Sequence, residues 1–207
     1  GHSIEYFIEG GRSRTGRLLQ PRTGMLSMTV RSYLRDPKRP VVFLPVYFGY
    51  ERVVEANTYI GELSGRPKQK ESALDLLRAW RVLREKFGRV HVNIGEPIQL
   101  DEMLERHAPG WRGQRFEDDT RAGWVGRLVG DLATRIMCHI NGAAAVTPIN
   151  LLAVTLLATP RQAMSIADLE RQVDLYLALL RDSPYSARTT VTALNGAEVI
   201  AYGESMQ

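Results

Sequence analysis

The chain has 207 residues, 44% of them hydrophobic and 24% charged, which is enough for one sizeable domain or a domain with a helical appendage. The formal charge is +4, and no apolar run approaches the roughly 18 residues of a membrane-crossing helix, so the composition excludes a helical bilayer span. The single cysteine, Cys138, excludes an internal disulfide and, set in an apolar helical pattern, reads as a buried core thiol.

Ile4–Ile8 reads as a short buried strand, stopped by Gly10-Gly11. Met25, Met28 and Leu34 suit a short helix over 25–35 that Pro37 and Pro40 end. Val41–Tyr47 is a second buried strand, dense in β-branched and aromatic residues, in which Pro45 requires an edge or a bulge. Residues 64–71 form a polar connection. Leu74, Leu77, Trp80, Val82 and Leu83 then mark an amphipathic helix over 73–87, closed by Gly88. Val90–Ile94 alternates as a third strand, ended by Gly95-Glu96-Pro97. From about Asp118 the period becomes helical: Trp124, Leu128, Leu132, Ile136 and Ile140 mark a long helix ended by Asn141-Gly142. Ile149–Leu157 is apolar all round, the pattern of a buried helix. Ser165 and Asp168 resemble a capping box before a helix whose face carries Ile166, Leu169, Val173, Tyr176, Leu177 and Leu180. Strand and helix alternating over residues 1–100, a connection over 101–117 and an all-helical region over 118–207 make an α/β protein with a helical tail.

Charge is uneven. Residues 1–40 hold eight basic side chains against three acidic ones. A local basic face attracts a phosphate-bearing small molecule, an acidic lipid surface or nucleic acid, or is simply solvated. The last of those partners is disfavoured, because the basic residues are not interleaved with aromatics and no nucleic-acid-binding motif is present. The chemistry concentrates in Glu9–Gly16. Gly10 and Gly11 let the backbone adopt positive φ and approach a ligand closely. Arg12 and Arg14 carry guanidinium forks suited to a phosphate, and Ser13 and Thr15 add hydroxyl donors. Glu9 either accepts hydrogen bonds from a hydroxylated ligand or orients one of the arginines. The plain alternative is a basic turn with Glu9 paired to Arg12 or Arg14. No Gly-Lys-Ser/Thr phosphate loop, dinucleotide fingerprint or metal-ligand pattern is present.

The block EGGRSRTG after an apolar strand resembles the third conserved block of the glycerophospholipid acyltransferases. The stretches SIEYFIEGGRSRTGRLLQPRTGMLSMTV, RPVVFLPVYFGYERVVEANTY and GELSGRPKQKES strongly resemble the bacterial glycerol-3-phosphate 1-acyltransferases among them. NIGEPI, INLLAVTLLAT and YLALLRDSPYS extend the likeness over essentially the whole chain. The resemblance implies transfer of a fatty acyl group from acyl-CoA or acyl carrier protein to the sn-1 hydroxyl of glycerol 3-phosphate, without a further cofactor. It implies a peripheral location at the cytoplasmic face of the bacterial inner membrane, on an anionic lipid surface. It makes Glu9, Gly10, Gly11, Arg12, Ser13, Arg14, Thr15 and Gly16 substrate-binding residues and puts Pro45 on the acyl-donor side. Arg17 and Arg22 become surface charges facing lipid or the phosphates of CoA.

That family also uses a His-x4-Asp block and an arginine-rich Phe-Ile-Arg-Arg segment. Five residues after His2, His107 and His139 stand Phe7, Arg112 and Ala144; after His91 stands Glu96, on a strand where positions five apart face opposite sides. His91 therefore reads as a strand histidine near the surface. No catalytic residue is assigned, and the chain is expected to be the C-terminal part of a longer enzyme, inactive alone. The alternative is a non-catalytic module that binds anionic lipid or phosphate.

Overall fold

The computed structural model describes residues 3–11, 17–52, 88–113 and 123–206. The expected polar connection at 64–71 and the helix at 73–87 lie outside the described residues. The architecture is α/β, and its two compact units do not follow the boundaries at 100 and 117: one comprises residues 1–47 with 94–143, the other 48–93 with 144–207.

In the first unit, α1 (Gly24–Arg35) buries Leu26, Val30, Tyr33 and Leu34 on one stripe. α2 (Leu100–His107) occupies the expected connection. It buries Leu100, Met103 and Leu104, with Asp101 and Glu102 in its first turn and Arg106 and His107 in its last, the charge order that a helix dipole favours. α3 (Gly123–Gly142) is the long helix. Val125, Leu128, Val129, Leu132, Ala133, Ile136 and Met137 face the core. Trp111, buried in a 3-10 turn, lies 5.7 Å from the Tyr33 ring. The Tyr33 hydroxyl donates to Asp101 at 2.5 Å, and Arg112 donates to the other oxygen of that carboxylate at 2.8 Å.

The expected strand over 41–47 is split by its proline. β1 (Val42–Phe43) pairs antiparallel with β4 (Ile98–Gln99), Val42 opposite Gln99 and Phe43 opposite Ile98. β2 (Val46–Tyr50) resumes after Pro45 and pairs with β3 (Val90–Ile94). Gly95 N–H donates to the Pro45 carbonyl at 2.8 Å and Glu51 N–H to the Arg89 carbonyl at 3.2 Å, so β2 and β3 run antiparallel. β3 alternates as expected with an inverted face: Val90, Val92 and Ile94 point to solvent, while His91 and Asn93 are half-buried.

Two further expectations fail in the first unit. Ile4–Ile8 is not a strand: Ile4 and Phe7 are 80% and 79% exposed, while Ile8 is buried in the core and Tyr6 packs against it half-buried. An apolar run becomes a strand only when a neighbour takes its backbone groups, and no described residue does so across its length. Cys138 is exposed rather than buried. It lies on the α3 stripe of Asp131 and Thr134, three and four residues apart, opposite the core positions.

The second unit contains α4 (Pro148–Leu157), α5 (Ile166–Asp182) and α6 (Gly196–Ser205). Their core is Leu151, Leu169, Val173, Leu177 and Val199. The region is not all-helical: β5 (Ala145–Val146) pairs parallel with β6 (Thr190–Val191). α4 is buried on one stripe only. Leu151 and Thr155 are covered, whereas Val154 and Leu157 are 52% and 67% exposed, because apolar composition all round supplies no preference for one face. α4 and α6 open with complete capping boxes, Thr147 with Asn150 and Asn195 with Glu198. At α5, Ser165 Oγ accepts from the Asp168 amide at 3.1 Å, so the serine half of the expected box forms.

Candidate substrate site

The turn after Ile8 is built by backbone geometry. Gly10 N–H donates to the Phe7 carbonyl at 3.0 Å, and Gly10 stands at φ +65°, where a side chain is strained. A Cβ there would also lie 2.8 Å from Arg22 Cγ; at Gly11 the space is open. The Arg22 amide donates to the Ile8 carbonyl at 2.7 Å, and the Leu19 amide donates to Glu9 Oε2 at 2.8 Å. Glu9 thus ties residue 9 to residue 19. Arg12, Ser13, Arg14, Thr15 and Gly16, expected to bind substrate, lie between those residues and outside the described ones. Arg17 and Arg22 are exposed.

Pro45 is buried at the break between β1 and β2. Its carbonyl takes the Gly95 amide, and Gly95 is pressed against the end of α3: a Cβ there would lie 2.6 Å from the His139 carbonyl oxygen and 3.2 Å from Pro45 Cβ. The His139 ring turns back, its Nδ1 2.7 Å from the Glu96 carbonyl oxygen.

The second unit holds a cluster that its sequence does not announce. The Glu51 side chain is 0% exposed. Its Oε2 accepts from the Tyr202 hydroxyl at 2.5 Å and from the Arg89 amide at 2.8 Å. Its Oε1 lies 3.6 Å from His91 Nε2, and neither atom has a hydrogen-bond partner among the described residues. His91 is a strand histidine near the surface, as expected, its side chain 27% exposed; what the sequence does not show is that its ring faces a buried carboxylate. Burial, then the bond to Glu51 and its charge, hold the Tyr202 hydroxyl above the usual tyrosine range, against a smaller opposing effect of Arg89. The only hint in the sequence is an acid directly after the apolar run of β2. His107 and Asp131, 3.0 Å apart, join α2 to α3 in the first unit, with Asp131 largely exposed. Among the described residues no group of three or more His, Cys, Asp or Glu could hold a metal ion, and no helix is long and apolar enough to cross a membrane.

Residues 59–207 match the family model for the glycerol-3-phosphate acyltransferase C-terminal region. The chain belongs to that family. Its whole length aligns at 53% identity with a glycerol-3-phosphate acyltransferase of Xanthomonas campestris, of which it spans 23%. It aligns at 52% with the enzyme of that name from Pseudomonas paraeruginosa and at 50% with that from Pseudomonas putida, spanning 25% of each. The chain thus covers about a quarter of the length of these curated relatives.

Proposed function

We propose that the chain is the C-terminal part of a glycerol-3-phosphate acyltransferase, which moves a fatty acyl group from acyl-CoA or acyl carrier protein to the sn-1 hydroxyl of glycerol 3-phosphate. The observation that carries this reading is identity of 50–53% along the entire chain to relatives bearing that name. In the reaction the hydroxyl oxygen attacks the thioester carbonyl, the new C–O bond forms, the C–S bond breaks, and the sulfur leaves as a thiolate. The hydroxyl proton passes to a base supplied by a part of the enzyme outside this chain, and the thiolate receives it back from that base. This chain supplies binding. The bonds from the Leu19 amide to Glu9 and from the Arg22 amide to the Ile8 carbonyl hold residues on either side of 12–16 together. In this reading Arg12 and Arg14 grip the phosphate, Ser13 and Thr15 support them, and Gly10, Gly11 and Gly16 let the backbone come close. Pro45 borders the acyl-donor path, and Arg17 and Arg22 face an anionic membrane surface.

The test is kinetic. A charge-assisted contact is worth about 1.5–3 kcal/mol, so Arg12→Ala or Arg14→Ala in the full-length protein raises the KM for glycerol 3-phosphate roughly ten- to hundredfold and leaves the acyl-donor KM near its wild-type value. An unchanged KM for glycerol 3-phosphate in both variants removes the loop from the site.

A further inference from the structure

We propose that His139 and Gly95 are positioning residues for acyl transfer, holding the strand break at Pro45 against the end of α3. The proposal rests on the reading above, in which Pro45 borders the acyl-donor path. It adds two residues from distant parts of the chain, neither of which touches substrate.

A proline in the middle of a sheet strand removes a ladder hydrogen bond, and here the strand stops at it and starts again. Such a break keeps its place only if its remaining backbone groups are anchored. The Pro45 carbonyl is anchored by the Gly95 amide at 2.8 Å. Gly95 is in turn wedged. A Cβ on it would lie 2.6 Å from the carbonyl oxygen and 3.1 Å from the carbonyl carbon of His139, and 3.2 Å from Pro45 Cβ. One wall is helix backbone, so it cannot swing aside as a side chain would. That part of α3 is itself fixed by Leu132, Ile136 and Met137 in the core.

His139 closes the junction from the other side. Its Nδ1 lies 2.7 Å from the Glu96 carbonyl oxygen, the residue next to Gly95. A carbonyl oxygen only accepts, so Nδ1 carries the proton. Both the corresponding neutral tautomer and the charged ring supply that donor. The order of contacts is His139 ring to Glu96, His139 backbone to Gly95, and Gly95 to Pro45. Loosening the ring contact frees the Glu96 peptide, and with it the amide that anchors the proline.

The experiment uses the full-length protein that carries this chain, with KM measured separately for acyl-CoA and for glycerol 3-phosphate. His139→Leu keeps the ring's approximate bulk and loses the donor; His139→Asn puts an amide N–H near the place of Nδ1. The expected result is an acyl-CoA KM raised about fivefold in His139→Leu, the effect of one net hydrogen bond, with the glycerol 3-phosphate KM within twofold of wild type. His139→Asn restores the acyl-CoA KM. Gly95→Ala, pushing the same junction apart, shifts the acyl-CoA KM in the same direction. The proposal is overturned if the acyl-CoA KM of His139→Leu stays at the wild-type value, if both KM values rise together, or if His139→Asn fails to restore it. A wild-type protein that does not acylate glycerol 3-phosphate overturns the functional reading itself, and the positioning role with it.

Discussion

Replacing Tyr202 by Phe removes one oxygen atom from the second unit and tests what holds α6 in place. The Tyr202 hydroxyl donates to Glu51 Oε2 at 2.5 Å, and the carboxylate that receives it has no exposed side-chain surface. After the substitution that oxygen retains, among the described residues, only the Arg89 amide at 2.8 Å, and Oε1 already has no partner among them. Depriving a buried charged group of a donor costs roughly 1.5–3 kcal/mol. The phenyl ring preserves the packing and the Arg89 guanidinium stacked 5.7 Å from it, so little else changes. At about 2 kcal/mol the opening equilibrium of α6 shifts roughly thirtyfold. Amide hydrogen exchange followed by mass spectrometry reads this directly. Peptides spanning 196–205 exchange about ten- to thirtyfold faster in Tyr202→Phe, and those of α1 and α3 are unaffected. Equal protection of α6 in wild type and variant, within twofold, refutes the claim that the buried carboxylate clasps this helix.

The same hydroxyl gives a signature in alkali. Tyr202 is held above the ordinary tyrosine value near 10 by burial first and by Glu51 next, and Tyr33 by burial first and then by its bond to Asp101. A folded-state pKa raised above the unfolded one gives stability that is complete below about pH 10 and lost as pH rises through the folded value. Tyrosinate absorbance therefore shows late-titrating groups that disappear in Tyr33→Phe and Tyr202→Phe. Glycine-to-alanine changes separate walls from flexible neighbours. A Cβ at Gly95 or Gly196 meets backbone oxygen, of His139 at 2.6 Å and of Glu170 at 2.7 Å, whereas at Gly203 it meets the end of the Leu152 side chain at 2.3 Å. Urea melts show Gly95→Ala and Gly196→Ala destabilised by about 1–3 kcal/mol, with Gly203→Ala near wild type because Leu152 can turn away. Ser165→Ala removes the acceptor of the Asp168 amide and destabilises α5 by about 1 kcal/mol, seen as faster exchange at its first turn.

What the sequence revealed was local. The period of α3 and α5, the serine cap of α5 and the glycine turn at position 10 all follow from the chemistry of nearby residues, and all stand in the structure, whereas Pro45, which reads as an edge or a bulge, breaks its strand in two. What it concealed depends on partners distant in the chain. Ile4–Ile8 has strand composition but finds no ladder among the described residues. Cys138 looks apolar by its neighbours and faces water by its helical phase. α2 is hidden in a stretch whose three core residues, Leu100, Met103 and Leu104, are too few to dominate a hydrophobic pattern. The pairing of Glu51 with Tyr202 spans 151 positions, and no spacing rule connects them. The caps Thr147-Pro148 and Asn195-Gly196-Ala197-Glu198 are legible signals of helix starts once proline at the first helical position and Glu at the third are weighed. For the candidate site, the glycine turn and the proline are visible in the sequence, but the bond from Leu19 to Glu9 is not, because it assigns to the backbone a carboxylate that composition offers to a ligand or an arginine.

The most direct measurement is acyl transfer by the full-length protein, from acyl-CoA to radiolabelled glycerol 3-phosphate, with wild type and Arg14→Ala assayed over a range of glycerol 3-phosphate concentrations. The account predicts 1-acyl-glycerol 3-phosphate as the product, and a KM for glycerol 3-phosphate raised roughly ten- to hundredfold in the variant. No acylated product from the wild-type protein, or identical KM values in the two, contradicts it.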